Sequence, residues 1–109
     1  MTAEVAAPSV LSTVSAALFG RALRLPLAAW IRQRNTPFFQ KQCAEGVGSL
    51  QQYVRKELAI LVDLGMIEQL PRERGDARIF YRQVPEHPLW AVIDAATTAV
   101  ERVDDHQPA

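Results

Sequence analysis

The sequence predicts a mainly α fold carrying one small β-hairpin, that is, an α+β domain. Three observations predict it. Apolar residues recur at three- and four-residue spacing along most of the chain, and glycines and prolines cut that pattern into helix-length pieces. Strand-like alternation occurs only once, on either side of a charged turn. At 109 residues, 49% of them apolar, the chain has room for one modest core and so for one domain, 1–109. Residues 1–8 and 105–109 are expected as disordered tails.

Pro8-Ser9 starts a first helix that runs to Gly20, with Val10, Leu11, Val14 and Leu18 on one side. A second helix begins at Leu25-Pro26, since a proline in the first turn removes only an N–H that would be unpaired anyway. It buries Leu27, Trp30 and Ile31 and ends near Asn35. Thr36-Pro37 opens a short third helix, PFFQKQCAEG, with Phe39 inward, and Gly46 stops it. After the turn GVG, Ser49 caps a fourth helix from Leu50 to about Leu64, and Gln52 completes a capping box. Leu50, Val54, Leu58 and Leu61 form its buried stripe, flanked by Tyr53 and Leu64, and Gly65 supplies the left-handed stop.

MIEQLP and ARIFYRQV then form two strands around the turn RERGD. Ile79, Tyr81 and Gln83 face one way, Phe80 and Arg82 the other. Pro88 starts the last helix, HPLWAVIDAATTAVERV. Two short helices joined by a glycine turn, a hairpin, and an additional helix at each end describe a winged helix-turn-helix with N- and C-terminal dimerisation helices.

The net charge is zero, but it is unevenly spread. Between Arg21 and Arg82 stand eleven Lys/Arg against six Asp/Glu, a local charge of +5. From Gln83 onward five acids face Arg102 alone, a local charge of −4. A basic middle of this kind steers polyanions even in a neutral chain.

The fourth helix holds the main candidate. With its leucine stripe buried, Gln51, Gln52, Arg55 and Lys56 lie on the other side as two pairs four residues apart. Arg can meet guanine O6 and N7, Gln can meet adenine N6 and N7, and Lys can take phosphate. They occupy the first half of the helix, the part that touches bases in helix-turn-helix proteins. Because Gln, Arg and Lys are also good helix formers, a merely solvated face is the competing reading. Ser49 and, on the short helix, Lys41 and Gln40 fall beside this face. Arg72, Arg74 and Arg78 make the hairpin a basic wing for flanking phosphates or the minor groove, although Glu73 and Asp76 offset part of the charge.

Leu89, Ile93, Ala96, Val100 and Val103 recur with alternating four- and three-residue steps, a heptad seam. With Val14 and Leu18 it is read as a homodimer interface, packing within one chain being the alternative. A two-fold dimer implies a palindromic DNA site. Cys43, the single cysteine, cannot form an internal disulfide and is expected as a small buried hydrophobe, a redox thiol being the other reading. Trp30 and Trp90 are expected as core or interface fillers. No phosphate loop, metal-ligand spacing or nucleophile beside a base occurs, so no catalytic residue, metal or cofactor is expected. Val5 to Gly20 lacks the sustained apolarity of a membrane span and, with no basic residue before it, reads poorly as a signal peptide; the single cysteine suits a reducing cytoplasm, where the protein is expected.

Three stretches carry a family resemblance: LFGRALRLPLAAWI, VRKELAILVDLGMIEQL and RGDARIFYRQVPEHPLWAVI. Over roughly residues 18 to 93 the chain resembles the winged helix-turn-helix transcriptional regulators of the arsenic-repressor type. The resemblance implies a homodimeric DNA-binding repressor that reads double-stranded DNA without enzymatic activity. Metal-sensing members carry paired cysteines, whereas here Cys43 stands alone and His87 and His106 are isolated. With no separate domain in view to hold a ligand, an effector is expected to act at the dimer interface. The alternative is a winged helix used as a protein-interaction module, an adaptor or antagonist of another regulator.

Overall fold

The structure, a computed structural model, describes residues 8–106, with side-chain environments from residue 10 to residue 102. Five helices and a small sheet follow one another: α1 (Pro8–Phe19), α2 (Arg24–Arg32), β1 (Phe38–Phe39), α3 (Gln40–Val47), α4 (Gln51–Leu64), β2 (Ile67–Gln69), β3 (Phe80–Gln83) and α5 (Leu89–His106). The strands form one antiparallel sheet in the order β1-β3-β2. α5 runs past residue 105, where the pattern predicts a tail, and the rest of both expected tails lies outside the described residues. No single helix among the described residues is long and apolar enough to cross a membrane.

β1 is a correction. The stretch after Pro37 is not the start of a helix but a short strand, with Phe38 opposite Tyr81 and Phe39 opposite Phe80. Paired aromatics suit a half-buried sheet better than a helix N-terminus. Successive strand residues point to opposite faces, so one phenylalanine goes in and the other out. Phe38 is the buried one, set edge-on to Trp30 at 5.9 Å and stacked on Tyr81 at 6.1 Å. Phe39, expected inside, is half-buried against Phe80 at the surface.

Helix boundaries shift with it. α3 starts at Gln40, where the Phe39 N–H donates to Gln42 Oε1 at 3.1 Å. It passes through Gly46 and ends at Gly48, whose φ of 69° needs no strain in glycine. Gly46 has a different reason to lack a side chain: a Cβ there would lie 2.2 Å from Trp30 Nε1. Ser49 caps nothing with its side chain. Its N–H donates to the Ala44 carbonyl and helps close α3, so Leu50 becomes the extended residue ahead of α4. One position ahead of the helix, Leu50 slips off the buried stripe and is 60% exposed. Val54, Leu58 and Leu61 are buried as expected, and Gly65 ends α4 in the left-handed conformation.

The main core joins α2, β1, α3, α4, β2 and Trp90 of α5. Polar side chains tie its edges. Ser15, fully buried on α1, donates to the Arg21 carbonyl and accepts the Leu25 N–H at 2.8 Å, bracing a turn that no local side chain caps. Arg24 donates to the Phe19 carbonyl at the end of α1 and to both carboxylate oxygens of buried Glu57 on α4. Gln83 on β3 donates to the carbonyls of Ile31, Arg32 and Arg34 and accepts from Arg32, which adds side-chain partners at the end of α2.

A second cluster takes up part of the expected seam within the chain. Leu25 and Val100 are buried together, with Val14, Ile93 and Ala96 packed on them within the single chain. Two turns of α5 thus meet α1 and α2 through Ile93, Ala96 and Val100, residues of the expected interface between copies. Val103 lies outside the described side chains. Leu18 is 72% exposed and Leu89 37% exposed, so these two members remain on the surface.

Candidate nucleic-acid interface

Gln51, Gln52, Arg55 and Lys56 are all exposed on the first two turns of α4. Neither Arg55 nor Lys56 has a hydrogen-bond or ion partner among the described residues. Gln51 accepts from Gln40 Nε2 at 3.1 Å, which fixes α3 against the start of α4 across the turn. No side chain caps α4, so its first N–H groups point out of the helix with the positive end of its dipole, an arrangement suited to a phosphate. The polar strip ends at Ala59 and Asp63, where an acid disfavours contact with a polyanion.

Beside this strip runs a second, apolar one. Leu50, Tyr53, Ile60 and Leu64 are 60, 50, 37 and 50% exposed. Together with Glu57 they follow alternating three- and four-residue steps, a second stripe on the same helix as the buried one. The spacing is legible in the sequence, but Leu50, Tyr53 and Leu64 fit the core stripe and its flanks as well, and only their exposure separates the two. At its centre a shallow hollow of about 250 Å³ is lined by Arg21, Leu23, Tyr53, Lys56, Glu57 and Ile60 among others. Lys56 therefore stands on the border between the polar strip and the apolar one.

The hairpin is less free than its composition suggests. Arg78 makes a bidentate pair with Asp76, the closest contact being 2.8 Å, and its guanidinium lies over the rings of Phe39 and Phe80 at 5.2 and 5.1 Å. The Arg78 hydrogen bonds hold the half-buried Asp76 carboxyl at about 2, below its ordinary 3.8. Arg72 reaches across the turn to the Ala77 carbonyl at 3.0 Å. Arg82, on β3, is paired with Glu68 across the strands at 2.7 Å. Arg74 is exposed and has no partner among the described residues. Of the three expected wing cations, then, one is free, one bridges the turn and one is neutralised.

Lys41 is exposed on α3 and Ser49 is half-buried with its backbone N–H already used. A cleft of about 610 Å³ opens between α3, the start of α4 and the hairpin, lined by Gln40, Lys41, Gln51, Arg78 and Tyr81 among others. The fold thus brings Lys41, Gln51 and the base of the hairpin to one concavity, with Arg55 further along α4.

Cys43 is fully buried beneath this surface, and desolvation pushes its thiol from the ordinary 9.0 up to about 12. It packs as a hydrophobe. The raised value means that the neutral thiol stabilises the fold in full below about pH 9, and that this contribution is lost as pH rises towards 12. Iodoacetamide is accordingly expected to label native Cys43 far more slowly at pH 8 than the same chain in guanidinium. Equal rates in the two states would remove the burial. Among the described residues no group of three His, Cys, Asp or Glu is placed to hold a metal ion.

No protein-family model, curated protein or solved structure matches this chain.

Proposed function

We propose that the chain is a winged helix-turn-helix transcriptional regulator that binds double-stranded DNA, with α4 in the major groove and the β2–β3 hairpin as its wing. The observation that carries this reading is the exposure of Gln51, Gln52, Arg55 and Lys56 at the uncapped start of α4, with neither cation partnered among the described residues. Arg and Gln there are suited to base edges; Lys41 and Arg74 are suited to phosphates. The resemblance to arsenic-repressor-type regulators supports repression by occupation of an operator. A homodimer suits the outward face of α5, where Val92 is 50% exposed and Ala95 and Ala99 lie open beside it, rather than the seam that α1 covers. Two such copies would read a palindromic site.

The apolar stripe Leu50–Tyr53–Ile60–Leu64 favours a second reading, a protein-interaction module without DNA contact. The two differ in salt dependence. Selection of bound sequences from random duplexes, followed by mobility shifts from about 50 to 200 mM salt, is expected to yield a two-fold symmetric motif. Its affinity should fall with a log–log slope of roughly −0.9 per phosphate contacted. Absence of any shift at the lowest salt would leave the interaction module as the better account.

A further inference from the structure

A second concavity lies away from the proposed DNA face, where α1, α2, α3 and α5 meet. It measures about 340 Å³, within the range of small-molecule sites, and is more apolar than the cleft beside the hairpin. Leu11, Pro26, Val47 and Ile93 supply aliphatic walls, and the Trp30 indole supplies a flat one. That ring is packed from two sides: Phe38 meets it edge-on and the Arg34 guanidinium covers it at 4.1 Å. Gly46 lets the α3 backbone come up to the ring edge, leaving no side chain there.

The polar groups in this cleft are unevenly satisfied. Arg32 and Asp94 line it as a bidentate pair, with Nε and Nη2 3.1 and 3.0 Å from the two carboxylate oxygens, so their charges cancel. Glu101, half-buried on α5, has no hydrogen-bond or ion partner among the described residues, and neither does the Trp30 indole N–H. The lining therefore carries one uncompensated negative charge facing an apolar slot with an aromatic wall. An anionic guest would meet that charge unfavourably, and a purely apolar one would leave it unused.

We propose that this cleft binds a small planar molecule bearing a cationic amine, its ring against Trp30 and its ammonium at the Glu101 carboxylate. The walls come from the two terminal helices, from α2 and from α3, the helix tied through Gln40 to the start of α4. Occupancy would thus be felt at the start of α4. That regulatory meaning rests on the DNA-binding reading, but the binding itself does not.

The test uses the whole chain and two probes with the same ring and opposite charge, phenethylamine and phenylacetate. The chain has two tryptophans, so its two indole N–H signals in a proton–nitrogen spectrum are separable by Trp90→Phe. Phenethylamine is expected to shift the Trp30 signal saturably and leave Trp90 nearly still, with phenylacetate at least ten-fold weaker. Glu101→Gln should weaken phenethylamine about ten-fold. Ala29→Leu, which narrows the slot from α2, should weaken it independently of charge. The proposal is overturned by a non-saturable response, by equal binding of the two probes, or by saturation that Glu101→Gln leaves unchanged. No DNA is present in this titration, so its failure and the failure of the DNA-binding reading are separate results.

Discussion

Replacing Arg55 and Lys56 together by alanine is expected to weaken binding to the selected DNA about a hundred-fold at constant salt, with the fold intact. Both side chains are exposed and neither is held by a partner among the described residues, so their removal should change stability by no more than about 0.5 kcal/mol. A guanidinium on a guanine edge is worth about 1–3 kcal/mol of discrimination, and an ammonium on phosphate contributes about one unit of salt slope. The double variant should therefore lose affinity, relax its preference at one base position and show a shallower salt dependence. Arg78→Ala is the internal contrast. That guanidinium is already committed to Asp76 and two rings, so its loss should disturb the hairpin more than the salt slope. A doubly substituted chain that melts normally and binds as before would remove α4 from the interface.

Much of this surface was readable in the sequence because helical periodicity is a strong signal where a helix is long. Val54, Leu58 and Leu61 share one side of α4, and the four polar candidates follow as its complement. The readings that failed did so where two patterns compete for one residue. Leu50 fits both the core stripe and the exposed one, and only the backbone at Ser49, spent on closing α3, decides between them. Phe38-Phe39 fits a helix start until a long-range partner strand is known. The α5 heptad cannot say whether its partner is another copy or α1, since burial against either satisfies the same spacing.

Gln83 shows a further limit. Alternation along β3 does predict that it faces inward, but nothing local reveals that its amide meets carbonyls some fifty residues earlier at the end of α2. The wing has the same limit: the sequence shows that Glu73 and Asp76 offset part of its charge, but not that Asp76 pairs with Arg78 in particular.

The largest effect on stability is expected at Trp90. Its side chain is fully buried in the first turn of α5, the indole N–H donates to the Met66 carbonyl at 3.1 Å, and the Arg32 guanidinium lies over the ring at 5.4 Å. Trp90 therefore fastens the last helix to the chain just beyond the end of α4. Trp90→Ala removes that contact and leaves a cavity at a site walled by several elements, at a cost of about 3–5 kcal/mol. A domain of this size has a total stability of about 5–15 kcal/mol, so the variant should be marginal. At about 4 °C per kcal/mol, its melting temperature should fall by roughly 12–20 °C by circular dichroism. Trp90→Phe should behave differently. The Met66 carbonyl also accepts the Val84 N–H at 2.8 Å, so losing the indole donor leaves no orphaned acceptor. That change should cost only about 1–2 kcal/mol, from one hydrogen bond and some lost volume. If the alanine variant melted within a few degrees of the parent, α5 would not be docked through Trp90, and the helix arrangement that presents α4 would have to be redrawn.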